Sequence, residues 1–256
     1  MPFGFVAFFG IGAFTTAVLV KSPGFPVLLV LPFSGLAGMA LGLLFAPTLR
    51  LSGIYFAIVT WHWPASAGWI ITNMPEEITG GSFGLQLGSR AEPRQSFYVM
   101  MVVMLLALGT ILWLSRSRLG KALRAVMLTM PRRADMMGIN VARVRLYGWL
   151  IATLFPALCG GIEAWYTNIV DTETAFNTLI TAKTVIYAVA GGLGTVTGPI
   201  VGSIVMVWLD ELIWRNFVAQ SSDTRGGHHT ARPVPAPRGL VGSLLRWRPQ
   251  WRRYIP

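Results

Sequence analysis

Residues 115 to 145 carry eight basic side chains and one acid, and they lie between two long apolar stretches. The basic residues are Arg116, Arg118, Lys121, Arg124, Arg132, Arg133, Arg143 and Arg145; the acid is Asp135. In a chain that is 54% hydrophobic, such a stretch fits the cytoplasmic connection of a multi-span membrane protein, because short basic loops resist translocation. A net charge of +11 would in a soluble protein direct attention to nucleic acid. Here, however, 15 of the 21 Lys and Arg residues sit in that loop or in the tail after Phe217, so bases and phosphates meet no basic face. Cys159 is the single cysteine, which rules out an internal disulfide framework. His62 stands far from the adjacent His228 and His229, and the sequence offers no catalytic, cofactor-binding or metal-ligating set.

A bilayer core needs about 20 apolar residues per helix. Windows near that length occur at 3–20, 25–49, 51–71, 97–114 and 146–166, followed by shorter apolar segments at 178–190 and 200–217. The pattern specifies an all-α polytopic membrane helical bundle. Segment 178–190 is too short to cross alone and runs into Gly191-Gly192-Leu193-Gly194-Thr195-Val196-Thr197-Gly198-Pro199. That run reads as a broken or re-entrant Gly-rich element, whose freed backbone groups must be buried or face a polar cavity, and Pro199 is suited to the first turn of the helix that follows. Counting outward from the basic loop places 72–96, the Lys21–Pro26 turn, and Asp171 with Glu173 outside. Gly38 and Gly42 are four apart, as are Gly194, Gly198 and Gly202, while Gly10 and Gly12 cluster in the first span; small residues at such spacing suit close helix approach in lipid.

The chain begins Met1-Pro2 with no basic residue before Lys21, and the sequence reads as N-terminally truncated. Residues 218–256 read as a basic, Pro-rich disordered tail, with Pro233, Pro235 and Pro237 unable to continue a span. The segment 218–236 reads as an altered, possibly out-of-frame, replacement of a final helix, the original frame resuming near Pro237.

Five stretches carry a family resemblance. They are Ala7-Phe8-Phe9-Gly10-Ile11-Gly12-Ala13-Phe14, Leu49-Arg50-Leu51-Ser52-Gly53-Ile54-Tyr55-Phe56-Ala57-Ile58-Val59-Thr60, and Thr79-Gly80-Gly81-Ser82-Phe83-Gly84-Leu85. The fourth is Ser117-Arg118-Leu119-Gly120-Lys121-Ala122-Leu123-Arg124-Ala125 with Gly138-Ile139-Asn140-Val141, and the fifth is the Gly191–Pro199 turn. In this order the chain resembles the permease subunit of the branched-chain amino-acid ABC transporters that has the longer cytoplasmic loop. The resemblance implies a transmembrane permease domain over 1–217 that contains a cytoplasmic coupling loop at 115–145. In that family the loop docks a short helix into a groove of a cytoplasmic ATPase; Arg124, Ala134, Gly138, Ile139 and Asn140 match that element. The resemblance further implies a second permease subunit, a periplasmic or surface-tethered binding protein, a bacterial inner-membrane location, no cofactor and no bond chemistry in the chain itself. Leucine, isoleucine or valine is the implied cargo, and Gly10, Gly12, Gly80, Gly81, Gly191, Gly192 and Gly194 are the candidates for the substrate pathway. Departures from the family pattern are Met127-Leu128-Thr129-Met130-Pro131, where Pro131 should stop a helix at or before Met130, Trp61-His62-Trp63-Pro64 after Thr60, and Lys183 where relatives often carry an acid. Two other readings remain open from the sequence: a secondary transporter or channel, for which only Lys183 and Glu163 would serve as intramembrane ionisable groups, and a permease remnant that no longer assembles.

The orientation can be checked directly. A cysteine introduced at Thr129 should be shielded from an impermeant external thiol reagent in intact cells, and one at Ser89 should be labelled; equal labelling of both defeats the topology.

Overall fold

Ten α-helices, two short 3-10 turns and one pair of two-residue strands are found among residues 4–21, 25–51, 53–88, 93–128, 140–192 and 197–223, which are those described by the computed structural model of the chain. In order they are α1 (Phe5–Lys21), α2 (Val27–Leu44), a 3-10 turn (Ala46–Arg50), α3 (Ile54–Thr72), α4 (Glu76–Thr79), a second 3-10 turn (Gly81–Phe83) and β1 (Leu85–Gln86). Then follow α5 (Pro93–Arg116), α6 (Arg118–Leu128), α7 (Val141–Thr167), β2 (Ile169–Val170), α8 (Thr172–Ala175), α9 (Thr178–Gly191) and α10 (Thr197–Asp223). The chain divides into two units, Met1–Met206 and Val207–Pro256. In the second, the described residues are helical through Asp223 and present Val207, Trp208, Leu212 and Ile213 as exposed apolar side chains.

Within the first unit, α1 is the central element and packs against α7, α2 and α3. Its inward residues include Val6, Ala7, Phe8, Gly10, Gly12, Ala13 and Thr16. Size sorts the side chains in the sense expected for lipid, with small residues at the helix contacts and large apolar ones outside. A Cβ on Gly12 would fall on the carbonyl of Ala157, and a Cβ on Gly160 would fall on the carbonyl of Phe9. One on Gly42 would stand 2.8 Å from Thr153 Oγ1, and Gly38 faces Ala157. Conversely Leu28, Leu29, Phe33, Leu36 and Leu44 of α2 are exposed. Three described helices are long and apolar enough to cross a membrane: Val27–Leu44, Arg94–Arg116 and Val141–Thr167; Phe5–Lys21 is a shorter apolar helix.

At one end of this core Phe8, Phe45, Phe56, Trp63 and Trp149 form a continuous ring cluster. Phe45 and Trp63 stack at 4.3 Å and 6°, and Phe8 meets Trp149 edge-on at 5.4 Å. The Trp149 indole N–H donates to the Gly42 carbonyl at 3.0 Å, so this polar atom of the cluster is satisfied at the contact of α2 with α7. The helix α3 contributes Thr60, Trp63, Pro64, Ala67 and Ile71 to the interior, a stripe at helical spacing. It continues through Pro64, as membrane helices tolerate proline where neighbouring groups serve the freed backbone.

The sequence reading of 25–49 as one span differs from the structure: α2 stops at Leu44 and the chain tightens into the 3-10 turn Ala46–Arg50. Pro47 has no N–H for an α ladder, whereas the Thr48 N–H still reaches the Phe45 carbonyl at 3.0 Å. The 115–145 stretch is likewise more than a loop, since α6 occupies Arg118–Leu128 and α7 starts at Val141 rather than 146. The end of α6 at Leu128 falls ahead of Pro131. The last helix runs to Asp223, six residues beyond the span end at 217; the rest of the expected tail lies outside the described residues.

Close approach of α1 to α7 makes a measurable demand. Gly12→Leu should destabilise the detergent-solubilised chain by about 1–3 kcal/mol or more, the usual cost of overpacking. Gly109→Ala is the matched control, because nothing lies within 4 Å of a Cβ there; it should be neutral or stabilising by up to about 1 kcal/mol. Thermal unfolding of the two variants, followed by tryptophan fluorescence, checks the contrast.

Candidate functional site: two ends of the helix pair α1 and α7

At the end of α7 remote from the basic residues, the backbone is held by an antiparallel strand pair, Leu85 opposite Val170 and Gln86 opposite Ile169. The Leu87 N–H extends the ladder to the Asn168 carbonyl at 3.1 Å. Leu85 is fully buried. The approach to this pair is a tight turn in which the Thr79 hydroxyl donates to the Ile71 carbonyl at 3.1 Å. Gly80, Gly81 and Gly84 have φ of +72°, +55° and +74°, a region that a Cβ disfavours. At Gly84 the constraint is doubled, because an added Cβ would also lie 2.6 Å from the Val170 carbonyl oxygen. Gly80 and Gly81 therefore sit in a turn that shapes this end, and the signal for it was the Thr79–Leu85 stretch.

Beneath the strand pair, Phe9 and Ala13 of α1, Glu163, Ala164 and Thr167 of α7, Val170, the short α8 and Ile180 of α9 enclose an open chamber of about 470 Å³. Asp171 caps α8 by accepting the Thr174 N–H at 3.1 Å and the Thr174 hydroxyl. Next to the chamber Phe176 stacks on Phe14 at 6.0 Å and 16° and covers Gly10. Thr72 of α3 donates to Thr172 of α8 at 3.3 Å. Thus α3, α7 and the broken segment β2–α8–α9 are tied at one level. Gly12 faces Ala157 in the α1–α7 contact. Gly191 lies against Gly198 and Gly202, at the close approach of α9 and the first turns of α10, and Gly192 ends α9 with φ +100°. Gly194 is outside the described residues.

The opposite end carries the basic residues. Ser117 breaks α5 from α6: its hydroxyl accepts the Gly120 N–H at 3.1 Å, a side-chain cap at the start of α6. A Cβ on Gly120 would fall on the Leu114 carbonyl, so this corner is closed to other residues. On α6, Arg118, Lys121 and Arg124 are exposed, a spacing that places them on one face. Leu123 meets α7 opposite Gly148, where a Cβ would stand 3.0 Å from Leu123 Cδ2. Val126 packs with Val141 and Val144. Asn140 caps α7 by accepting the Arg143 N–H at 3.0 Å. Of the coupling candidates, Arg124 and Asn140 are therefore placed, one on the exposed face of α6 and one at the first turn of α7; Ala134, Gly138 and Ile139 lie outside the described residues. Between the Ala46–Arg50 turn and Asn140–Leu146 runs a groove of about 850 Å³ edged by Arg50 and Arg145. Among the described residues no group of three or more His, Cys, Asp or Glu stands together as a metal site.

The sequence reading missed the strand pair and the Gly160 contact, and treated Glu163 only as an ionisable residue in a span. Gly120 and Ser117 were in a quoted motif, but their capping role is visible only in the fold.

A bundle packed through small residues, with a broken segment at one end and a basic amphipathic helix at the other, defines a membrane-embedded helical permease. The family model for the branched-chain amino acid transport system / permease component matches residues 1–225, and the chain belongs to that family. It is 28% identical over 275 aligned residues to the high-affinity branched-chain amino acid transport system permease protein LivM of Salmonella typhimurium, covering 93% of this chain and 63% of that protein. The LivM protein of Escherichia coli is similar to the same extent. A probable branched-chain amino acid transport permease protein, LivH of Methanocaldococcus jannaschii, is 32% identical over 117 residues, 46% of this chain and 36% of its own length. The chain thus spans about 63% of the length of the LivM relatives. No solved structure matches it.

The strand pair predicts a cross-link. With Cys159 replaced by alanine, cysteines at Gln86 and Ile169 face each other across the ladder, where Cα atoms lie about 4.5–5.5 Å apart, within disulfide reach. They should join under mild oxidation, and Gly84→Val should slow that joining several-fold; the rate is read on non-reducing gels after a protease cut between the two positions.

Proposed function

We propose that the chain is a membrane-spanning permease subunit of an ATP-driven importer of branched-chain amino acids in the bacterial inner membrane. The observation that carries this reading is the family match over residues 1–225. On this reading the chain works with cytoplasmic ATPase subunits, a second permease subunit and a periplasmic or surface-tethered binding protein. Hydrolysis is the work of the ATPase, and the chain itself makes and breaks no covalent bond.

The supporting geometry lies at the basic end. With residues 115–145 on the cytoplasmic side, α6 and the segment leading to Asn140 form the ATPase-facing surface. Leu123 and Val126 fasten α6 to the first turns of α7, and α7 packs closely against α1. Displacement of α6 by a closing ATPase pair therefore acts on α7, whose other end borders the chamber. A packed pair of this kind shifts between discrete arrangements, and ATP biases the equilibrium only through contacts that differ between them. Arg124, Ala134, Gly138, Ile139 and Asn140 are assigned to coupling, and the turn at Gly80 and Gly81 with Gly10 to the walls of the outer pathway.

Gly138 matches the loop glycine of the family, where a turn after a short helix is required. Gly138→Val should weaken co-purification of the ATPase by about tenfold while leaving membrane insertion intact; an undiminished pull-down removes the coupling role.

A further inference from the structure

Glu163 is an acid in the longest of the described apolar helices, four residues before the end of α7, or roughly 6 Å along the axis. Among the described residues no hydrogen bond or ion pair reaches its carboxylate; Thr167, one turn on, donates to the backbone carbonyl of Glu163 instead. Asp171, the other acid of the chamber, is committed to capping α8. Glu163 is exposed, one turn inside that end, and an ionised side chain within a span must face protein, water or a cation. Besides Asp171, Thr167 and Thr174, the chamber it borders is walled by apolar side chains, among them Phe9, Ala13 and Ile180, and about 470 Å³ falls within the size range of small-molecule sites. On its other flank Glu163 borders a second cavity of about 320 Å³ with Ser96 and Met100. Ser96 is 3% exposed and its hydroxyl has no hydrogen-bond partner. A buried hydroxyl left in this state costs about 1–3 kcal/mol, and a polar ligand group or water reaching Glu163 from this side would relieve it.

The geometry points to Glu163 as the residue that receives the α-ammonium group of an aliphatic amino acid in this chamber, with the apolar walls taking the side chain. The inference rests on the importer reading and specifies which end of the ligand the permease holds. A charge-assisted N–H to carboxylate bond supplies the cation that the described residues do not, and a largely apolar enclosure with one uncommitted carboxylate selects an aliphatic body with a single ammonium. Carboxylic acids of the same carbon skeleton but without the amino group would meet an unpaired like charge and be rejected.

The test replaces the wild-type chain in its own cells by Glu163→Gln or Glu163→Asp. Uptake of radiolabelled L-leucine is measured beside the amount of chain in the membrane and of ATPase co-purifying with it. The Gln variant should lower the uptake rate about tenfold or more, the worth of one hydrogen bond to a charged group, with assembly unchanged. The Asp variant should recover much of the loss. Excess 4-methylpentanoate, the des-amino analogue, should leave wild-type uptake unaffected. Wild-type uptake by the Gln variant overturns the assignment; so does an Asp variant as poor as Gln, because charge would then not be the property that matters. A fall in uptake that only follows a fall in assembled complex also overturns it and makes Glu163 a subunit contact. If the wild-type chain itself supports no leucine uptake, the importer reading fails and this assignment with it, an outcome separate from a transporting chain indifferent to Glu163.

Discussion

The rest of the architecture hangs on the approach of α1 to α7 without room for a β-carbon. Water drives helices together in soluble proteins by excluding apolar surface; in a bilayer that term is nearly absent, and the backbones must come close enough for dispersion to accumulate. Gly12 against Ala157 and Gly160 against Phe9 meet that demand from both sides of the contact. Gly38 and Gly42 extend it to α2. Once these three helices are set, the aromatic cluster at one end and the chamber at the other take their positions, since both are lined by α1 and α7.

The two ends are built by different physics. Near the strand pair, backbone hydrogen bonds and positive-φ glycines hold segments too short to be helices, and the polar main chain of β2 and α8 borders a cavity rather than lipid. This satisfies the rule that irregular backbone at membrane depth must be buried in protein or face water. Near the basic residues the joints are side-chain joints: a stacked Phe45 and Trp63, an indole bonded to Gly42, and the caps Ser117 and Asn140. The first kind of joint fixes register; the second tolerates small sliding of one helix on another.

How much of this could be read from the sequence depended on whether the signal was periodic. The spans corresponding to α1, α2, α5 and α7 were legible within a few residues because apolar length alone reports them, and Gly38 with Gly42 announced an interface by spacing. The 3-10 turn at Ala46–Arg50 was hidden inside an apolar window, although Pro47 marked its place. The helix α6 was implied only by the family resemblance: Leu119, Leu123 and Val126 follow the 3.6-residue period, but Arg118, Lys121 and Arg124 in the same stretch drew the reading of the residues toward a connecting loop. The pair β1–β2 was illegible, as two-residue strands have no period, and its register depends on the Gly84 turn and on Asn168 at φ +59°. For the site, Gly80 and Gly81 were named from a motif as substrate-pathway candidates, and the structure places them in a turn with positive φ, whereas the surroundings of Glu163 come from elements far apart in the chain and were visible only after folding.

The contact between Gly12 and Ala157 also sets a timetable. Some 145 residues separate the partners in sequence, and at a synthesis rate of about 5–20 residues per second α1 leaves the ribosome roughly 7–30 s before its partner exists. During that interval α1 presents glycine, alanine and threonine to its surroundings, with α2 as a close neighbour already made. The finished core therefore depends on a piece delivered late, well after α1 and α2 have been made.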